Sequence, residues 1–152
     1  MNLSWTGFRT PSVYGDSGYF NGKVHEALVL LGTLSDAESK KLEGYLAWNN
    51  GLVDKLPSNH LYKLEPPLNF SVWDPTDLNL LRWYKADTLV LNDGDPVSSW
   101  ADSSPNADPA IQATASKQPI YKDGVANGRP AVRFDSIDDV LNFSEILDTS
   151  AA

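Results

Sequence analysis

The sequence predicts a mainly β protein, an antiparallel jelly roll or β-sandwich with one short α-helix near residues 35–49. Short apolar runs alternate with turn-forming clusters of Gly, Pro, Asn, Asp and Ser at intervals of about 10–20 residues, as in antiparallel sandwiches. Only one stretch has helical periodicity, which is too little helix for a parallel α/β sheet. With 152 residues and 41% hydrophobic residues, the chain has the size and composition of one globular domain.

The first predicted strand covers Lys23–Leu31, between the turn-forming pair Asn21-Gly22 and Gly32. Its nearly continuous apolar character predicts burial on both faces. We expect one face to contact the sandwich core and the other to contact the helix.

The helix is predicted to begin after Ser35, which is a good N-cap and forms a capping box with Glu38. Gly51 is the expected residue just past its C-terminus, and Pro57 prevents its continuation. One face carries a stripe at helical spacing, formed by Leu42, Tyr45, Leu46 and Asn49. This stripe predicts that the helix docks on a sheet.

The composition changes at the proline-containing linker Glu65–Leu68, which divides the chain into segments 1–67 and 68–152. The second segment is rich in turn residues. Its predicted strands are Leu81–Lys85, Val97–Ala101, Pro119–Tyr121, Ala131–Phe134 and Val140–Phe143. The breaks between them include Asp123-Gly124 and Asn127-Gly128.

The charge and the residue usage exclude several classes of protein. The 12 basic and 20 acidic residues give a formal charge of -8, which disfavours nucleic acid and anionic membrane surfaces as partners. The absence of cysteine excludes disulfides and thiolate metal sites. The longest apolar run, Ala27–Leu31, is too short to span a bilayer, and Met1–Thr10 does not have the pattern of a signal peptide.

Two series of motifs resemble a concanavalin A-like, or laminin G-like, jelly-roll domain. The second half of the chain resembles the opening of such a domain, through Arg82-Trp83-Tyr84-Lys85-Ala86-Asp87, Ser99-Trp100-Ala101-Asp102-Ser103-Ser104, Asn127-Gly128-Arg129-Pro130-Ala131-Val132-Arg133-Phe134-Asp135 and Asp138-Asp139. The first half resembles its closing end, through Tyr19-Phe20-Asn21-Gly22, Leu34-Ser35-Asp36-Ala37-Glu38, Leu42-Glu43-Gly44-Tyr45-Leu46-Ala47-Trp48 and Leu56-Pro57. The order of the two ends is therefore inverted relative to the family.

Three arrangements follow from this inversion: a piece of a tandem-domain protein, a circular permutation, or an incomplete sandwich whose strands are supplied by neighbours. The resemblance implies a structural protein of a large assembly such as a bacteriophage virion, as a capsid decoration or tail component. Its expected partners are other protein subunits, including copies of itself, and its expected location is the virion. A glycan-binding adhesion or receptor-binding module is the alternative.

The acidic residues are candidates for catalysis and for metal binding. The Glu-x-Asp-x-x-Glu strand of glucanases with this fold is absent, and no nucleophilic triad is marked, so we predict no enzymatic activity and no catalytic residue. Turn-forming acidic residues supply the oxygen ligands that Ca²⁺ prefers, and calcium is the one cofactor they indicate. These candidate ligands are Asp93, Asp95, Asp135, Asp138 and Asp139. Turn and capping roles are the alternative for all five.

The five tryptophans divide by context. Trp83 and Trp100 lie in predicted strands and are expected in the core. Trp5 and Trp73 lie in segments without periodicity, and we predict that they contact a protein interface or a glycan.

Overall fold

A computed structural model describes residues 19–67 and 75–143 of the chain. In these residues the protein is mainly β, with antiparallel strands and one α-helix, as the sequence predicts. The elements in chain order are β1 (Asn21–Val24), β2 (Glu26–Leu30), α1 (Asp36–Asn49), β3 (Leu80–Lys85), β4 (Ser99–Trp100), β5 (Ala110–Ile111), β6 (Ile120–Ala126) and β7 (Arg129–Asp135). None of the described helices combines the length and apolar character needed to cross a membrane.

The strands form three small antiparallel sheets. One sheet has the order β1-β7-β6, and the other two are the pairs β2-β3 and β4-β5. In the first sheet Asn21 lies opposite Asp135, and in the second Leu28 lies opposite Trp83. Strands from the first half of the chain therefore share sheets with strands from the second half.

The strand predicted over Lys23–Leu31 is two strands, so the prediction of one continuous strand was wrong. The chain leaves the first sheet after Val24 and enters the second at Glu26. His25 lies at the break, where its carbonyl accepts a hydrogen bond from Ala86 N at 2.8 Å and its Nδ1 lies 2.6 Å from the Pro130 carbonyl. These two contacts connect His25 to β7 of the first sheet and to the residue that follows β3 of the second sheet. Periodicity does not detect such a change of partner because the chain stays extended on both sides of it.

Other strand boundaries also differ from the prediction. The predicted break at Asp123-Gly124 lies inside β6, where the pairing register shifts between Lys122 and Ala126 and Gly124 takes a φ of 65°. Because glycine adopts this left-handed conformation at little cost, the strand passes through as a bulge instead of ending. The true turn is Asn127-Gly128, with φ values of 51° and 79°, which is typical of a tight β-hairpin.

Three further differences come from burial and from strand length. Val140–Phe143 was predicted to be a strand and is not one, since in the described residues it makes a single bridge, Asn142 to Ile111. Its apolar side chains are buried in the core, which produces the strand-like pattern without a ladder. The prediction also omitted β5, whose two residues are too few for a periodic signal, and it made β4 longer than the observed pair.

The helix has the predicted boundaries and caps. The Ser35 hydroxyl accepts a hydrogen bond from Glu38 N, and the Glu38 carboxylate accepts one from Ser35 N, which completes the capping box. At the other end, Leu52 N donates to Ala47 O at 2.7 Å, and Gly51 has a φ of 64°. This is the Schellman arrangement, in which a left-handed glycine ends the helix.

Two hydrophobic clusters lie on either side of the β2-β3 sheet. Ala27 and Tyr84 belong to the larger cluster, which includes the fully buried Trp100. Leu28 and Trp83 belong to the smaller cluster, which also contains Tyr45 of α1. The prediction that one face of this strand contacts the main core and the other contacts the helix is confirmed, as is the burial of both tryptophans.

A partly buried polar network fixes β3 against the loop after β4. Both oxygens of the Asp102 carboxylate accept hydrogen bonds, Oδ1 from Trp83 N at 2.8 Å and Oδ2 from Asp108 N at 3.1 Å. Ser104 donates to the same carboxylate through its backbone N and its hydroxyl. Beside it, Arg82 forms an ion pair with Asp108, with Nη2 2.5 Å from Oδ2. This network takes the place of a regular strand partner along this part of β3.

Candidate functional site

Three of the predicted acidic ligands come together in the turn that follows β7. The side chains of Asp135, Asp138 and Asp139 bring one carboxylate oxygen each within 4.8 Å of one another. Ser136 has a φ of 67°, and this left-handed residue reverses the chain. Backbone hydrogen bonds hold the turn, from Ile137 N to Asp135 Oδ1 at 2.8 Å and from Asp135 N to Asp139 Oδ2 at 2.9 Å.

Two carboxylates of this acidic turn have pKa values shifted in opposite directions. The hydrogen bond from the Ile137 N–H holds the pKa of Asp135 below its usual value. Asp139 has only 5% of its surface exposed, and burial, with the charges of Asp135 and Asp138 adding to it, raises its pKa. Ionising Asp139 therefore carries a desolvation cost, and a proton or a cation would relieve that cost.

The other two predicted ligands lie in a different turn, between residues 92 and 95. Asp93 forms an ion pair with Lys122, with Oδ2 2.6 Å from Nζ, and it accepts a hydrogen bond from Asp123 N. The Lys122 hydrogen bond is the main cause of the lowered pKa of Asp93. Asp95 accepts hydrogen bonds from the backbone and side chain of Asn92. The five candidates therefore divide between two turns, and only the acidic turn gathers three carboxylates.

A cleft of about 380 Å³ lies where the β1-β2 break meets the end of α1 and the β6-β7 turn. We refer to it as the helix-end cleft. It is lined by Lys23, Val24, His25, Glu26, Leu46, Asn50, Leu52, Ala126 and Asn127. The lining combines apolar walls with charged and carboxamide side chains, which is the usual chemistry of a binding site for a small group.

Glu26 is the central polar side chain of this cleft. Its Oε1 accepts a hydrogen bond from Trp83 Nε1 at 2.7 Å, and its Oε2 accepts one from Asn50 Nδ2 at 3.1 Å and a longer one from Asn49 Nδ2 at 3.4 Å. All three donors are neutral. Within the described segments, no lysine, arginine or histidine lies within 4.0 Å of the Glu26 carboxylate.

The other polar residues of the cleft are held in place by the fold. Asn127, in the left-handed turn between β6 and β7, donates from Nδ2 to Asn50 O at 2.9 Å and so attaches the hairpin to the end of α1. His25 must carry its proton on Nδ1, since the Pro130 carbonyl can only accept. These residues were not singled out as a site from the sequence. The visible signals were Asn-Gly after β6 and Asn-Gly after α1, which both indicate turns and not a shared cleft.

The two tryptophans predicted to contact a partner, Trp5 and Trp73, lie outside the described residues.

The two histidines have separate structural partners. His25 contacts the Pro130 carbonyl, and His60 Nε2 lies 3.2 Å from the Glu43 carboxylate.

We compared the chain with protein-family models, with curated proteins and with solved structures, and none of the three comparisons gives a match. The resemblance to concanavalin A-like domains therefore stays a prediction from the motifs.

Proposed function

We propose that this protein is a non-enzymatic structural and interaction component of a large assembly, as the resemblance to jelly-roll domains of phage virions implies. In this proposal it is a capsid decoration or tail component of a bacteriophage, and it works through contacts with other subunits. The observation that carries the proposal is the edge of β2 that faces away from β3, which we call the free edge because the described residues place no strand against it. In the part of the chain that the structure describes, β2 pairs with β3 alone.

The composition of β2 makes this edge suitable for pairing. Four of its five residues are apolar, and its one charged residue, Glu26, stands at its first position. Proteins that keep an edge strand from pairing usually place lysine, proline or a bulge along it. An edge of this kind can add a strand from a neighbouring chain through main-chain hydrogen bonds. We propose that strands added from neighbouring chains complete the jelly roll.

The direction of the backbone groups identifies the residue to change. The His25 carbonyl accepts from Ala86 N, so the N–H and C=O groups of alternate residues, Ala27 and Val29, face β3. The N–H of Leu28 accordingly faces the free edge. Removing that N–H weakens an added strand without breaking the β2-β3 ladder.

Exposed apolar side chains support an interaction role. Leu64 and Val90 have 88% and 99% of their surfaces exposed, and Leu61 and Ile137 are also largely exposed. Each one gains free energy if a partner covers it, at about 25 cal/mol per Å² of apolar surface removed from water.

The test compares two variants at Leu28 by size-exclusion chromatography with light scattering. Leu28→Ala removes side-chain contacts in the smaller cluster and keeps the outward N–H, whereas Leu28→Pro removes both. We expect the wild type and Leu28→Ala to self-associate and Leu28→Pro to be monomeric, with circular dichroism showing that both variants are folded. A wild type that is monomeric at all concentrations, or equal association of both folded variants, would overturn the edge-pairing proposal.

A glycan screen on the folded wild type separates this proposal from its alternative. We expect no binding to any saccharide. Specific saccharide binding by a monomeric wild type would replace the assembly role with that of a glycan-binding module.

A further inference from the structure

We propose that the helix-end cleft binds the cationic side chain of a lysine or arginine on a protein partner, with Glu26 as its counter-ion. This inference rests on the proposed function, since it names the partner chemistry of an interaction protein. It is carried by a carboxylate in the cleft that is held in a fixed orientation by neutral hydrogen-bond donors alone.

The first source of negative charge in the cleft is Glu26. The carboxylate is half-buried and receives hydrogen bonds from Trp83, Asn50 and Asn49, none of which is charged. Neutral donors orient a carboxylate without cancelling its charge. The cation opposite Glu26 in the β2-β3 register, Lys85, places its ammonium over the Trp83 ring, 4.0 Å from the ring centroid, and forms no ion pair with Glu26 within 4.0 Å. A carboxylate held in a fixed orientation, with no cation within 4.0 Å in the described residues, is a preorganised acceptor for one.

The second source is the end of α1. The aligned peptide dipoles of a helix leave a partial negative charge at its C-terminus, and cations stabilise it. The last turn of α1 contains no basic residue. Instead, Asn49 and Asn50 bring the Glu26 carboxylate up to this end, so a negative side chain lies against the negative pole of the helix. A cation in the cleft would interact favourably with both.

The shape of the cleft suits a long basic side chain. Its volume of about 380 Å³ is at the lower end of the roughly 300–1,000 Å³ range of ligand sites. Val24, Leu46 and Leu52 supply apolar walls for the methylene stem, since lysine and arginine bury their stems while the charged head finds a polar partner.

Lys23 lines the same cleft, so the proposal predicts opposite effects on binding for substitutions at Lys23 and at Glu26. It is exposed, and in the described segments no carboxylate lies within 4.0 Å of its ammonium. At the edge of the cleft it repels an incoming cation without neutralising Glu26 directly. Removing the Lys23 charge should therefore strengthen binding, and removing the Glu26 charge should weaken it.

A protein partner is favoured by the charge of the whole chain. The formal charge of -8 attracts basic surfaces over long range and repels nucleic acid. The cleft then fixes the register of the contact with a single side chain.

The experiment titrates Nα-acetyl-arginine methylamide into the full chain and follows NMR signals of the Trp83 indole N–H and the Asn50 and Asn127 side-chain amides. Nα-acetyl-citrulline methylamide is the matched neutral probe, because it has nearly the same shape and no charge. We expect the arginine probe to shift these three signals, the citrulline probe to shift them much less, and added salt to weaken the arginine probe.

The variants are Glu26→Gln, Lys23→Gln and the control Asp54→Asn, which removes an exposed carboxylate that does not line the cleft. Glutamine at 26 keeps an oxygen that can accept the Trp83 N–H, so an unchanged indole signal reports an intact cleft. We expect binding to be at least about fivefold weaker in Glu26→Gln, about two- to threefold tighter in Lys23→Gln, and unchanged in the control.

Equal binding of the arginine and citrulline probes, or wild-type affinity in Glu26→Gln with an intact indole signal, would overturn the inference. If Glu26→Gln does not fold, weaker binding in Lys23→Gln than in the wild type would overturn it independently. These outcomes are separate from self-association of the Leu28 variants, so the cleft proposal can fail while the assembly proposal stands, and the reverse.

Discussion

The ring of Tyr62 lies directly against Gly44 of α1. A Cβ placed on Gly44 would lie 2.7 Å from Tyr62 Cβ and 2.7 Å from an atom of its ring, which is closer than side chains approach. One turn further along the helix, Trp48 Nε1 donates to the Tyr62 carbonyl at 2.8 Å. The segment that leaves the helix is therefore docked on it through a close approach that only glycine permits.

Gly44→Ala is expected to destabilise the protein, although alanine is the better helix former. Alanine in a helix interior is favoured by about 1 kcal/mol over glycine, while overpacking of a tight contact costs about 1–3 kcal/mol. Because Tyr62 Cβ is attached to the backbone, the clash cannot be relieved by a rotamer change. We expect a net loss of about 1 kcal/mol, measured by denaturant unfolding.

The control places the same change in a Tyr62→Gly background. With the ring and its Cβ removed, Gly44→Ala should stabilise by up to about 1 kcal/mol, which is the helix propensity alone. The same loss in both backgrounds would show that the close approach to Tyr62 is not the cause.

Asp102→Asn is expected to be strongly destabilising. The Asp102 carboxylate accepts four hydrogen bonds, from Trp83 N, Ser104 N, Ser104 Oγ and Asp108 N. Asparagine keeps one accepting oxygen and replaces the other with a donor, which leaves at least one backbone N–H facing an N–H. Since each unsatisfied buried group costs about 1–3 kcal/mol, we expect a loss of about 2–4 kcal/mol in urea unfolding.

The matched control is Asp54→Asn, which makes the same chemical change at an exposed position. It should alter the free energy of unfolding by less than about 0.5 kcal/mol. A loss in Asp102→Asn no larger than this would contradict a structural role for the Asp102 network.

The pKa shifts in the acidic turn predict how the stability of the fold changes with pH. Burial raises the pKa of Asp139 above its usual value of 3.8, so the folded state binds this proton more tightly than the unfolded state does. The stabilisation due to this group is present below pH 3.8 and is lost as the pH rises through the raised pKa. Asp135 and Asp93 have lowered pKa values, and their stabilisation is lost only as the pH falls below 3.8.

Asp139→Asn removes the ionisation and keeps an oxygen that can accept from Asp135 N. We expect its melting temperature to exceed that of the wild type by a few degrees at pH 7 and the difference to shrink towards pH 4, measured by differential scanning calorimetry. Asp138→Asn is a useful comparison, because it removes one neighbouring charge and should give a smaller gain with the same sign. A gain that is constant from pH 4 to pH 7 would contradict the raised pKa as its cause.

The predicted calcium ligands are tested by thermal unfolding with millimolar CaCl₂ or with EDTA. The carboxylates of Asp135, Asp138 and Asp139 should give a calcium-dependent rise in melting temperature that Asp139→Asn abolishes, because the metal requires the ionised oxygen. Asp93→Asn should leave the rise unchanged, since that carboxylate belongs to the other turn and pairs with Lys122. The same melting temperature in calcium and in EDTA would refute the calcium prediction.

Local signals in the sequence were sufficient for α1 and for much of the strand content. The Ser35-Glu38 capping box and Gly51 define the ends of the helix through contacts within a few residues, and the structure keeps all three roles. The burial of Trp83 and Trp100 likewise follows from their place in apolar runs. These features depend on neighbouring residues, so they can be predicted before any tertiary contact is known.

Strand boundaries were less predictable because they depend on which partner each backbone group finds. Asp123-Gly124 has the composition of a turn, yet β7 pairs with the chain on both sides of it and makes it a bulge. Val140–Phe143 has the composition of a strand, yet the described residues give it one bridge only.

The sequence by itself determined the mainly β class, the position and caps of α1, and the acidic residues of the turn after β7. Only the tertiary structure decided that the extended stretch around His25 serves two sheets and that Glu26, Asn50 and Asn127 line one cleft. The physical reason is that local propensity and side-chain period act between near neighbours. The cleft joins residues up to 104 positions apart, and the Glu26 carboxylate meets the end of α1 only after folding.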